Sequence, residues 1–297
     1  MDSALSYWTV LAAANRWGLY TLTLLACGSA LFILATPLPQ TLRDVAARLG
    51  MKAAGAAILC FLASLGLGGG EMMDAGPLAL GDMETWRLAA ETTLGQSAAV
   101  GISAMVILWC GYHWQRSAAL AIGATGGLGS FLLTGHAATA APAWIAAPAV
   151  AAHVAGAAYW IGALYPLQQS LQGPSLVASA NVIAAFSYRA VASVIAIVIS
   201  GVAISWIQLG RPETIVDTAY GYRLMVKIGL FISVFALAGY NKLFLTPQIQ
   251  RGDAGAGVHL CRVIALEFVL ILLILGAAVT LTLVEPPRAL IQSPHAS

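Results

Sequence analysis

Two histidines and a short run of methionines are the residues of this chain best suited to chemistry. His136 closes an apolar segment in Thr134-Gly135-His136-Ala137, and His153 lies early in the next one. The connection between them is uncharged and holds Pro142, Trp144 and Pro148. A short connection makes successive helices antiparallel neighbours, so both imidazoles are expected at similar depth near one membrane face. Neutral imidazole is a good ligand for copper. The same pair also suits the axial positions of a b-type haem. A lone histidine on an apolar helix more commonly just bonds a neighbouring helix. Metal ligation, haem ligation and a structural role are therefore the three readings of the pair.

A second soft-ligand group lies in the loop after the second apolar segment. It reads Glu71-Met72-Met73-Asp74, and further on Asp82-Met83-Glu84. Thioether sulfur is a soft ligand that prefers Cu(I), and the carboxylates would concentrate cations beside it. The competing reading of Met72, Met73 and Met83 is an adaptable contact patch. On the opposite side, Cys110 and His113 are three residues apart, about one helical turn. His259 and Cys261 are two apart, just before the last apolar segment. Together these four are a candidate thiolate and imidazole acceptor for Cu(I).

Polar groups also interrupt the apolar segments. A charge inside a membrane span costs a few kcal/mol, so Arg16, Arg189, Lys227 and Glu267 each need a partner or a task. An ion pair between Arg189 and Glu267 is one reading; for all four charges the other is charge pairing or snorkelling to the interface. Tyr220, Lys227 and Asn241 are spaced by 7 and 14 residues and share one helical face. That face is read either as an interhelical hydrogen-bond seam or as the wall of a polar pathway. Trp160, seven residues after His153, shares that histidine's face.

The elements that position these groups must lie in lipid. Of 297 residues, 60% are hydrophobic and 9% charged, with a mean hydropathy of +0.84. A soluble chain carries roughly 25% charged residues, so these charges are too few to cover a globular surface. A net charge of +2 gives no reason to expect a nucleic-acid partner. The chain has eight apolar segments of about the length a bilayer requires: Tyr7–Ala35, Gly50–Gly69, Gly95–Tyr112, Ser117–Thr134, Trp144–Leu167, Val182–Leu209, Tyr220–Phe244 and Arg262–Val284. The predicted fold is an all-α polytopic membrane bundle of about eight transmembrane helices, forming a single domain over residues 1–297. A transmembrane barrel would alternate polar and apolar residues, and these segments do not. The first segment is too long for a cleavable signal.

Orientation follows from basic residues in short loops. Arg43, Arg48, Lys52, Arg116, Lys242, Arg251 and Arg262 fall on one side, which is therefore cytosolic. Nearly all the acids fall on the other side, together with both termini, so in a bacterium both termini are expected in the periplasm. None of Cys27, Cys60, Cys110 and Cys261 lies in an outer loop. A structural disulfide, which needs the oxidising side, is therefore not expected. The thirty glycines suit close helix packing and would permit a homodimer. No Walker motif is present, so internal ATP-driven pumping is excluded.

In this order across five helices, the residues resemble the copper resistance D (CopD) family of bacterial inner-membrane proteins. The resemblance is carried by Thr134-Gly135-His136-Ala137; by His153 with Trp160, Gly162 and Leu164; by Phe186-Ser187; by Tyr220-Gly221, Leu224 and Lys227; by Asn241 with Leu245 and Pro247; and by Glu267. It implies an eight-helix, multi-pass copper protein of the inner membrane, not an enzyme, whose polar positions fall on His136, His153, Lys227, Asn241 and Glu267. It also implies copper uptake, often beside a small periplasmic copper-binding partner (CopC). No such domain is attached here, so that partner would be a separate chain.

The expected function is copper transport and homeostasis, with Cu(I) favoured. Glu71, Asp74, Asp82 and Glu84 would attract the ion, Met72, Met73 and Met83 would hold it transiently, and His136 and His153 would form the deeper site. Trp160, Tyr220, Lys227, Asn241 and Glu267 would support the pathway. The alternatives are a b-type haem electron-transfer protein with His136 and His153 as axial ligands, and an assembly factor that delivers copper without translocating it.

Overall fold

The structure, a computed structural model, describes residues 7–73, 80–134, 142–173 and 176–288. Among them the chain is helical without strands. The helices are α1 (Tyr7–Ala35), α2 (Gln40–Met72), α3 (Met83–Ala90), α4 (Thr93–His113), α5 (Ser117–Gly129), α6 (Ala143–Ser170), α7 (Leu176–Leu209), α8 (Thr214–Asp217), α9 (Ala219–Tyr240), α10 (Thr246–Gln250) and α11 (Ala254–Leu281). Seven are long and apolar enough to cross a membrane: α1, α2, α4, α6, α7, α11, and α9 with its continuation through α10. The remaining predicted segment is the shorter apolar helix Ser117–Leu132, whose last turn tightens to a 3-10 turn at Ser130–Leu132. The protein is a polytopic helical membrane bundle.

α1 stands at the centre of this bundle. It packs against α2, α5, α6 and α11, and Thr23 to Ala30 is buried without a break. A helix apolar on every face is a core helix. Its crossing with α6 is glycine on glycine. A Cβ at Gly28 would strike the Ala158 carbonyl, and one at Gly162 would strike the Gly28 backbone. With no side chain between them, the two backbones approach as closely as small-residue membrane interfaces allow. At the other end, Tyr112 on α4 is buried and its Oη donates to the Ala26 carbonyl. Tyr112→Phe would remove this interhelical bond, while the Ala26 carbonyl keeps its N–H partner within α1. The expected cost is about 1–2 kcal/mol, read as a lower melting temperature in detergent with helix content unchanged.

α7 packs chiefly on α6, and α9 chiefly on α11. Both present large apolar side chains outward, among them Ile199 and Val202 on α7 and Ile232 and Phe235 on α9. In a bilayer these side chains meet lipid.

Three helices extend beyond their predicted apolar cores. α2 starts at Gln40, so Arg43, Arg48 and Lys52 ride on its first turns. α7 starts at Leu176. α11 starts at Ala254, where the Asp253 carboxylate caps it by accepting from the Gly255 and Ala256 N–H groups at 2.8 and 3.3 Å. Hydropathy marks only the stretch inside hydrocarbon, whereas a cap sets where the hydrogen-bonded helix begins.

After α9 the helix widens to a π turn over Asn241–Leu245. Pro247 supplies the cause: it has no N–H for the Leu243 carbonyl, and its ring crowds that oxygen. The wider turn removes the clash, and Thr246 Oγ1 donates to the Asn241 carbonyl at 2.9 Å. Such bulges re-aim side chains and are frequent at functional sites.

Candidate functional site

His153 projects from α6 against α7. Its Nδ1 lies 3.2 Å from the Ile197 carbonyl oxygen and 3.2 Å from Ser200 Oγ. A carbonyl only accepts, and the Ser200 hydroxyl proton is given to Ala196 O. Nδ1 must therefore carry the ring proton. In the neutral imidazole Nε2 is then the bare nitrogen, with its lone pair available. This is the arrangement metal-binding histidines use, one ring nitrogen held by a backbone carbonyl and the other left to the ion. Gly201 lies against the ring, where a Cβ would sit at an ordinary contact distance of 3.5 Å. Ser200, Gly201 and the Ile197 carbonyl were not singled out from sequence. Small residues recur along the whole of α7, so nothing in its sequence set positions 200 and 201 apart.

Lys227 on α9 lies within electrostatic range of the His153 ring, and it forms no ion pair among the described residues. The predicted α9 face is real. Tyr220 is buried with Leu209, Leu224 and Leu281, Val234 is buried one heptad beyond Lys227, and Asn241 ends the stripe. Along this face Tyr220 and Val234 pack in apolar surroundings, Lys227 is half-buried, and Asn241 bonds Glu267.

Asn241 meets Glu267 of α11, its Nδ2 lying 2.6 Å from Glu267 Oε1. The Trp160 indole of α6 faces the same carboxyl as a second donor. Glu267 is only 3% exposed and Trp160 5%. Two residues from separate segments of sequence, Asn241 and Trp160, therefore converge on the buried carboxyl of a third, Glu267. The Arg189–Glu267 ion pair does not form. Arg189 instead donates to the Ala185 carbonyl one turn back, at 2.9 Å, because α11 turns Glu267 toward α6 and the π turn. Among the described residues the ion pair seen is Arg87–Glu91, at 3.1 Å on the surface. Arg16 donates to Thr282 Oγ1 at 2.7 Å.

The outer loop is partly ordered by α3, which hydropathy did not reveal. Asp82 caps α3, accepting from Glu84 N–H at 3.2 Å and Thr85 Oγ1 at 2.8 Å. The Thr85 hydroxyl, followed by the Glu84 amide, holds its carboxyl below the usual range. Asp82 is thus engaged in capping, while Glu71, Met72, Met73, Met83 and Glu84 are exposed. Asp74 and His136 lie outside the described residues.

The candidate cytosolic acceptor is not gathered into one cluster. Among the described residues no three His, Cys, Asp or Glu side chains are grouped to hold a metal ion. His259 and Cys261 lie inside α11 rather than before it, and residues two apart on a helix do not face each other. His259 sits edge-on to Tyr240 with centroids 5.9 Å apart, whereas Cys261 turns to the Gln168 carbonyl. His113 stacks on Trp109 at 5.5 Å, one turn of α4 from Cys110.

Two family models match the chain: copper resistance protein D over residues 180–281, and the copper resistance protein D-like N-terminal domain over residues 5–144. The chain belongs to the copper resistance D family. Searches of curated proteins and of solved structures found no match. In this CopD-family protein the first match spans Ser200, Lys227, Asn241 and Glu267, and the second spans α1 to α5 and His136. His153 and Trp160 lie between the two matched regions, on α6. Copper resistance, in a multi-pass membrane protein, is what family and fold together establish.

Proposed function

We propose that this protein binds copper at a periplasmic-side imidazole site and carries it across the bacterial inner membrane toward the cytoplasm. The observation that supports this most is the fixed tautomer of His153, with Nδ1–H on the Ile197 carbonyl and Nε2 left as a ligand atom. Lys227 stands beside it as a fixed positive charge that limits how tightly a cation is held. Weak binding suits transport, because an ion held in a deep well does not move on.

The wider site is proposed from ligand chemistry. Met72, Met73 and Met83 are exposed thioethers suited to Cu(I), and Glu71, Asp74 and Glu84 supply negative charge around them. His136 is the second imidazole. A separate CopC-like protein is the proposed donor at this face.

The test is copper stoichiometry on the purified protein, with Cu(I) maintained by ascorbate. His153→Ala is expected to lose one bound copper per chain, and His136→Ala to weaken the same site. Uptake into proteoliposomes should fall at least tenfold in both. Equal stoichiometry in His153→Ala and wild type would end the proposal, as would a Soret band in the purified wild type. Copper binding without uptake would assign a delivery role instead.

A further inference from the structure

Hydrogen-bond accounting at Glu267 gives an inference that goes beyond copper binding. Asn241 has two amide donor hydrogens and a carbonyl acceptor. Its Nδ2 is used on Glu267 Oε1 at 2.6 Å. Its Oδ1 is buried and has no hydrogen-bond partner among the described residues. Buried polar atoms are nearly always satisfied, so this one needs a donor. The other oxygen of the same carboxyl would supply that donor if it carried a proton. A carboxylic acid and a primary amide then close a ring of two hydrogen bonds, N–H to O=C one way and O–H to O=C the other. The ring is satisfied whichever way round the amide is set. A separation of 2.6 Å is short for N–H···O and ordinary for O–H···O.

The surroundings agree. Glu267 is buried within a membrane-spanning helix and forms no ion pair among the described residues. A bare carboxylate there would be an uncompensated charge in hydrocarbon. The charged and titratable groups on the elements packed around α11 are directed elsewhere. On α6, His153 bonds α7 and the Tyr159 hydroxyl bonds Thr36. On α1, Arg16 bonds Thr282, and Tyr20 packs edge-on to Phe131. On α9, Arg223 bonds the Thr280 carbonyl, Lys227 lies by His153, and Tyr240 packs on Phe244 and His259. Lys242 in the π turn is exposed, and on α11 itself Cys261 bonds Gln168. Among the described residues, Trp160 and Asn241 hold the carboxyl.

We infer that Glu267 is a protonated carboxylic acid, closed in a ring with Asn241, and that it is the proton-exchange site of this transporter. The coupling half of this inference rests on the transport reading above. The step balances with water as the proton acceptor: the Glu267 O–H bond breaks, its proton passes to a water molecule, and the carboxylate offsets one Cu(I) charge as the ion moves past. Return of a proton restores the neutral ring and repels no cation. Trp160 ties this acid to the copper site, because it lies seven residues from His153 on the same face of α6, about 10 Å along the axis.

Glu267→Gln is the informative variant. A glutamine amide can close the same two-bond ring with Asn241 but has no proton to release, so fold and copper binding are expected to persist. Infrared difference spectra in H2O and D2O should show a deuterium-sensitive carboxylic acid band in the wild type that Glu267→Gln lacks. In proteoliposomes with an internal pH dye, Cu(I) uptake by the wild type should move protons, and Glu267→Gln should reduce that movement at least tenfold while keeping copper stoichiometry. A wild type without the acid band, or a variant with unchanged proton movement, overturns the inference. Should the wild type take up no copper, the transport reading fails, and the infrared band still decides whether Glu267 is the acid.

Discussion

Gly162→Val is expected to destabilise the protein by about 3 kcal/mol or more, the upper end of overpacking costs. The added side chain has nowhere to go. Its Cβ alone meets the backbone of Gly28 and the Ser29 amide nitrogen, and backbone cannot change rotamer as a flexible side chain can. α1 and α6 would have to separate along the crossing that centres the bundle. The measurement is thermal unfolding in detergent, followed by fluorescence-detected gel filtration. Gly55→Ala is the control, since a Cβ at Gly55 meets nothing within 4 Å. It should match the wild type within about 0.5 kcal/mol. Equal melting of Gly162→Val and wild type would show that the crossing is not tight.

The second large effect is on function and leaves the fold alone. Lys227→Met should raise Cu(I) affinity about tenfold and lower the rate of uptake. The lysine is a positive charge within electrostatic range of His153. At an effective dielectric near 20, removing a unit charge several ångströms from a cation site is worth about 1–2 kcal/mol, and about 1.4 kcal/mol is tenfold in Kd. Tighter binding with slower delivery is the expected pairing, because the ion is then slower to leave. Competition titration against a chromophoric Cu(I) chelator gives the affinity, and proteoliposome uptake gives the rate. Lys227→Arg keeps the charge and should resemble wild type. An affinity that falls in Lys227→Met would mean that the lysine supports the site rather than opposing it.

The bundle was legible in the sequence because hydropathy reports burial in lipid directly. Each of the eight predicted segments falls on a helix. The face shared by Tyr220, Lys227 and Asn241 was legible for a similar reason, since spacing fixes angle on a helix. Pairing between helices was not legible. Charge complementarity favoured Arg189 for Glu267, but the helix packing gives Glu267 to Trp160 and Asn241. The bend that aims Asn241 depends on Pro247, six residues later, a signal that periodicity does not carry. Short elements outside the membrane were equally hidden. α3 is only eight residues long, and its Asp82 cap had been read as one of several acids in a loop. The His259 and Cys261 pairing failed on a simpler point. A helix begun at Asp253 rather than near Arg262 sets those two side chains on different faces.

The short helix α5 has a consequence for the lipid around it. Its thirteen α-helical residues and the three-residue 3-10 turn that follows reach about 25 Å, against a hydrocarbon thickness of about 30 Å. Where α5 alone meets lipid, the bilayer thins beside it or lets headgroups and water dip toward its ends. A cation entering on that flank would leave bulk dielectric later and regain it sooner than anywhere else on the perimeter, so the protein would carry its own thin spot.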